Sequence, residues 1–225
     1  MPTILLIRHG QASFGASDYD DLSPAGHVQA QAVARELARD AGPVRRIVSG
    51  SLRRQLQTAE PTASRLGLPI DVDPRLAEYK MDAILAAHGD TAVRTSGGPD
   101  VERVGTREFQ LLLERGMLGW LQAGDRTPAG ESWPAFARRT RAALDELAAG
   151  LSPGATAVAF TSGGVIAAIC VALLELPELS LLRFNRVSVN GAITTLASGR
   201  SGLSLVSFNE HRYLRLDPAA TVTLR

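Results

Sequence analysis

Apolar residues along this chain fall into short unbroken runs that alternate with longer stretches of helical spacing. Ile4 to Ile7 is an unbroken run too short for a buried helix, and it predicts a parallel strand covered on both faces. Val44 to Ser49, Leu68 to Val72 and Ala155 to Phe160 give further strands of the same kind. Ala192 to Ala197 and Leu203 to Phe208, separated by Ser198 to Gly202, have the spacing of a hairpin. Between the strands, Ala30, Val33, Ala34, Leu37, Ala38 and Ala41 recur at helical steps after Ser23-Pro24, an N-cap followed by a first-turn proline, until Gly42-Pro43 ends the helix.

A second helix follows Val44 to Ser49, with Ser51 as its expected cap and Pro61 expected to kink or restart it before Gly67. Trp133 to Leu147 is amphipathic, with Glu131 and Ser132 as a capping pair before it, and Val165 to Leu176 is almost wholly apolar after a tight Thr161-Ser162-Gly163-Gly164 turn. From Tyr79 to Glu131 the pattern loosens: Ser96-Gly97-Gly98-Pro99 breaks it, and helical spacing returns in Val104, Phe109, Leu112 and Leu113. Strands alternating with helices predict an α/β fold, a three-layer α/β/α sandwich around a mostly parallel sheet with an antiparallel hairpin at its late edge. The expected organisation is one domain over 1–225, with 79–131 as an insertion or lid over the strand ends.

Composition narrows the function. The 225 residues carry 24 Lys and Arg against 23 Asp and Glu, so no global field favours nucleic acid or a membrane surface. No leader pattern and no long apolar span occur, and the single Cys170 cannot form an intrachain disulfide, which together point to a cytoplasmic protein. Function must then rest on particular side chains.

The first strand stops at Arg8-His9-Gly10, which places a cation and an imidazole at the carboxyl edge of the sheet, where open α/β folds keep their ligands. Arg54 lies in the first turn of the second helix, beside amides that attract anions, and shares a face with Thr58. Glu78 follows the third strand, and Ser162, Gly163 and Gly164 follow the fourth. Two arginines and a run of glycine amides suit a phosphoryl dianion that His9 can attack. There is no Walker loop and no metal-ligand spacing, so no metal or other cofactor is expected. Plainer readings fit the same residues: Arg54 as the partner of a surface carboxylate, and Glu78 as a solvated loop acid.

At this point the chain resembles the histidine phosphatase superfamily, the phosphoglycerate mutase-like proteins. Its Arg-His-Gly signature is similar to Arg8, His9 and Gly10, and its Leu-Ser/Thr-x-x-Gly-x-x-Gln-Ala element to Leu22, Ser23, Gly26, Gln29 and Ala30. Its Ser-x-Leu-x-Arg-x-x-x-Thr-Ala element resembles Ser49 to Ala59, in a register that makes Arg54, and not Arg53, the phosphate-binding arginine. Glu78 and Gly130-Glu131-Ser132 resemble further family elements. The resemblance implies phosphatase chemistry through a phosphohistidine on His9, with Arg8, Arg54 and Glu78 catalytic and Arg8, Arg54, Ser162 and Gly163 binding phosphate. Ser162 stands where the family usually has a second histidine, and Phe14, Gly15 and Ala16 stand where an asparagine is common. His27, His88 and His211 are the remaining imidazoles that could substitute in space.

Three functions compete on these grounds. The first is a metal-independent phosphomonoester phosphatase. The second is a phosphate-ligand sensor that retains the pocket without turnover, which Ser162 favours. The third is a mutase, which is expected to need the second histidine. The expected partner is a small phosphorylated substrate, with no nucleic acid and no membrane, and a homodimer is compatible with the sequence. Tyr79, Met81, His88, Arg94 and Arg103 are expected on the leaving-group side, and they define no single substrate.

Overall fold

The computed structural model describes residues 1–13, 20–89 and 106–224. Residues 14–16, the 96–99 break, Val104, Arg94, Arg103 and the side chain of Phe109 lie outside the described residues. Six strands form one sheet: β1 (Thr3–Arg8), β2 (Val44–Ser49), β3 (Ile70–Val72), β4 (Thr156–Thr161), β5 (Ile193–Gly199) and β6 (Gly202–Glu210). Their order is β3-β2-β4-β1-β5-β6. The first four run parallel, β5 pairs antiparallel with β1, and β6 returns antiparallel to β5 as the expected edge hairpin, with a turn tighter than its sequence spacing suggests. The third strand is shorter than its apolar run, because Leu68 precedes the pairing with β2.

The pleat of β1 explains the layers. Leu5 and Ile7 face α1 (Pro24–Asp40) and α2 (Arg53–Leu66) in a core with Val33, Leu37, Ala59, Val158 and Phe160. Ile4 and Leu6 face the other way, into a larger core with Phe136 and Leu144 of α5 (Trp133–Ala149) and Val165 and Ile169 of α6 (Gly163–Leu173). Helices on both faces of a mostly parallel sheet make the α/β/α sandwich. α3 (Met81–His88) and α4 (Thr106–Ala123) join the larger core through Ile84, Met117 and Trp120. α7 (Ser180–Val187) and α8 (Arg212–Leu216) complete the described α-helices, and short 3-10 turns lie at Pro74–Leu76 and Gly124–Arg126. Among the described residues no helix is long and apolar enough to cross a membrane.

Local chemistry corrects several boundaries. The N-cap of α2 is Leu52, not Ser51, and the Gln55 side chain accepts from the Leu52 amide at 3.1 Å in place of a hydroxyl cap. Pro61 neither breaks nor restarts α2; the helix runs through it, forgoing one backbone bond while Thr58, Ala59 and Thr62 keep its face buried. Gly163 and Gly164 are the first residues of α6 and not a separate turn, and the helix ends at Leu173. α3, α7 and α8 were not foreseen, since short helices lack the repeats that make periodicity visible. Ser132 does cap α5, accepting from the Ala135 amide at 3.2 Å, whereas Glu131 pairs with Arg139 at 2.6 Å.

Candidate active site

β1 and β4 end side by side, with Arg8 paired to Thr161 and the His9 amide donating to the Thr161 carbonyl at 2.9 Å. Parallel neighbours therefore bring His9 and Ser162 out of the sheet at the same edge. His9 is buried, and its ring is held by both nitrogens. Nδ1 lies 2.7 Å from the Gly10 carbonyl, which can only accept, so Nδ1 carries the proton and Nε2 the lone pair. Arg54 Nε donates to that lone pair at 3.2 Å. Burial, then the Arg54 and Arg8 guanidinium charges, push the His9 pKa well below its ordinary 6.5, so the imidazole is neutral at neutral pH.

The register of Arg54 follows from α2. Arg54 is buried, reaches His9 with Nε and pairs with Asp20 at 2.6 Å through Nη1. Arg53 points the other way, to Asp21 at 2.7 Å, and is exposed. Thr58, one turn along α2, accepts from the Gly10 amide at 3.0 Å and ties the helix to the loop after β1. Arg8 uses Nη1 to hold the carbonyls of Ser188 and Leu224, the latter at 2.9 Å. Asn190 donates to the His9 carbonyl at 3.1 Å, which fixes the backbone beneath the imidazole.

Glu78 enters from the segment after β3 and caps α6. Its Oε2 accepts from the Gly164 amide at 2.9 Å, and its Oε1 from the Tyr79 amide at 3.2 Å. Burial raises its pKa above the ordinary 4.5, against the opposing pull of that amide and of Arg54. Gly164 is required by the close approach: a Cβ there would lie 2.3 Å from Glu78 Oε1 and 2.3 Å from Tyr79 Cε1. The Gly164 amide, expected to face phosphate, is therefore committed to Glu78. Tyr79 is locked in turn by Trp120 and Phe136, with ring centroids 5.2 and 5.3 Å away, and by Asn185, which donates to its hydroxyl at 2.9 Å.

The structure thus brings together Arg8, His9, Arg54, Glu78, Ser162 and Gly163, and it leaves the other histidines elsewhere. His27 is exposed on α1, His88 bonds Thr127 at 2.7 Å, and His211 bonds the Asn209 carbonyl at 2.6 Å. Asp20, Gln55, Asn185 and Asn190 belong to the site's surroundings and were not foreseen. Only Gln55 carried a local signal, as the acidic-or-amide residue at the third position of a helix.

A model of the histidine phosphatase superfamily, branch 1, matches residues 4–211. The chain belongs to that superfamily. Over 188 residues it is 31% identical to a glucosyl-3-phosphoglycerate phosphatase of Mycobacterium tuberculosis, a match covering 77% of this chain and 76% of the relative. A probable phosphoglycerate mutase of Yersinia enterocolitica is 31% identical over 186 residues, covering 79% and 77%. The solved structure of a mycobacterial glucosyl-3-phosphoglycerate phosphatase in complex with VO3 superposes with a TM-score of 0.65 at 30% identity, covering 93% of this chain and 99% of that one. As a histidine phosphatase superfamily member, the chain has an Arg-His-Gly signature at the end of β1 and Ser162 beside it at the end of β4.

Proposed function

We propose that this protein is a phosphomonoester phosphatase that works through a phosphohistidine on His9. The observation that carries the reading is the His9 ring itself, with Nδ1–H fixed on a carbonyl and the Nε2 lone pair directed at a buried guanidinium. Nε2 attacks phosphorus in line, the bond from phosphorus to the ester oxygen breaks, and protonated Glu78 gives its proton to the leaving oxygen. The Gly10 carbonyl stabilises the positive charge that the ring acquires. Glu78 then takes a proton from water, the hydroxide attacks phosphorus, the phosphorus–nitrogen bond breaks and inorganic phosphate leaves. Arg54 passes from the Nε2 lone pair to the equatorial oxygens as phosphorus approaches, and Arg8 and the Gly163 amide add further positive potential. Charge neutralisation by arginine lets the chemistry run without a metal.

Residues 79–89 and 106–131 act as the covering segment on the leaving-group side, anchored through Tyr79 and Trp120. The names of the relatives put phosphoglycerate-type esters first in a substrate panel. A reducing, cytoplasmic setting suits the free, buried Cys170. The decisive experiment is a reaction with a labelled phosphoester quenched in alkaline detergent, in the presence and absence of chelator. The expected result is an acid-labile, alkali-stable phosphoryl group on His9 and unchanged turnover in chelator. Turnover without label, or retained by His9→Ala, overturns the covalent mechanism. Tight phosphate binding without turnover on a broad panel identifies a sensor instead.

A further inference from the structure

Ser162 occupies the N-cap position of α6, yet its side chain makes no capping bond. A serine there ordinarily accepts from an amide of the first helical turn. Here Glu78 takes the Gly164 amide. The Ser162 hydroxyl is instead engaged by Gln55 Nε2 at 2.8 Å, and both residues are fully buried.

The orientation of the Gln55 carboxamide is determined by its neighbours. Oε1 faces the Leu52 amide, which can only donate, at 3.1 Å. Nε2 faces the Leu76 carbonyl, which can only accept, at 3.1 Å. Reversing the amide would set acceptor against acceptor and donor against donor. Gln55 therefore donates to Ser162 Oγ and cannot receive its proton. Gly50 makes room for this arrangement, since a Cβ at that position would lie 2.1 Å from Gln55 Oε1. Gln55 also follows Arg54 directly in the first turn of α2, so one helix end holds both His9 Nε2 and Ser162 Oγ.

We infer that Gln55 is a positioning residue, which occupies one lone pair of Ser162 Oγ and so directs the Ser162 proton to the phosphoryl oxygens beside His9. A hydroxyl held by a carboxamide then supplies the hydrogen bond that a second imidazole would give. This inference rests on the phosphohistidine reading of His9 and adds a role that nothing at the sequence level assigns.

The test is a double-mutant cycle on native protein, Gln55→Met, Ser162→Ala and the pair, with para-nitrophenyl phosphate as substrate and orthovanadate as inhibitor. Loss of one preorganised donor typically costs about 100 to 1,000-fold in rate. Gln55→Met, which leaves the hydroxyl but not its aim, is expected to lower kcat by roughly 10 to 1,000-fold, with KM changed less than about threefold. Vanadate inhibition should weaken with kcat. In the Ser162→Ala background the same substitution should change kcat by less than about twofold, because it then has nothing to aim. Multiplicative effects of the two substitutions, or native kcat and vanadate inhibition in Gln55→Met, overturn the inference. If Gln55→Met does not fold, Gln55→Leu, which removes the donor with a similar apolar volume, takes its place in the cycle. It should lower kcat over the same range, and native kcat overturns the inference. Alkaline-quench labelling of His9 in the same samples separates the two levels: label on His9 with a multiplicative cycle removes Gln55's role alone, whereas turnover without label removes the phosphohistidine reading beneath it.

Discussion

His9 and Glu78 have opposite displacements with one shared cause, burial, which disfavours whichever form is charged. The pair is therefore set for nucleophile and acid, a neutral imidazole beside a carboxyl that holds its proton further up the pH scale. Activity should fall as pH rises through the raised Glu78 value, and Glu78→Gln should abolish that alkaline limb while lowering kcat by about 10² to 10⁴-fold on an alkyl phosphate. A pH–rate profile of both proteins checks it, and an unchanged limb in Glu78→Gln rules out this assignment. His9→Ala should reduce turnover on the order of 10⁴-fold or more, as loss of other covalent nucleophiles does. The two adjacent arginines separate sharply by placement. Arg54→Ala should weaken vanadate inhibition by about 100-fold or more, since it touches the nucleophile. Arg53→Ala, which loses an exposed pair with Asp21, should change it less than about threefold. Inhibition curves for the two variants decide the register.

At the scale of elements, the site depends on helix ends meeting strand ends. α2 brings Arg54 and Thr58 to the loop after β1, and α6 starts against Glu78 without a gap. Gly164→Ala should therefore cost roughly 1 to 3 kcal/mol of stability, because the new methyl collides with both Glu78 and Tyr79. Denaturant midpoints at constant m-value measure it. The same variant should lower kcat, since relief of the collision moves the carboxyl away from the leaving oxygen. A Gly164→Ala protein with native midpoint and native kcat would show that the approach of Glu78 to α6 is looser than its distances imply.

For the whole molecule, the buried ionisable groups give stability a pH signature. The unfolded chain protonates His9 below about 6.5 while the fold resists doing so, so this contribution is complete above 6.5 and is lost as pH falls toward the depressed folded value. Glu78 acts in the other direction: its contribution is complete below 4.5 and is lost as pH rises through the raised folded value. Thermal unfolding across this range should show His9→Ala flattening the loss of stability as pH falls below 6.5, and Glu78→Gln the loss as pH rises above 4.5. Cys170, in the interior of α6, has its thiol pushed up to about 12 by burial. A thiol reagent at neutral pH should label it only through opening of the larger core, at a rate that follows global unfolding.

Much of this was legible in the sequence for a physical reason: local patterns encode local structure. The apolar run Ile4 to Ile7, the Ser23-Pro24 start of α1 and the sudden change to Arg8-His9-Gly10 each act over a few residues, and they determined the alternating elements, the layer architecture and the candidate nucleophile. Short elements escaped, since α3, α7 and α8 repeat their apolar spacing too few times. What only the tertiary structure decided are the pairings between segments distant in the chain. Gln55 meets Ser162, Glu78 takes the Gly164 amide that was expected to face phosphate, and Asp20 holds Arg54. Hydrogen-bond partners are chosen by which donors and acceptors the sheet order and helix packing leave within about 3 Å of each other. No spacing along the chain carries that information.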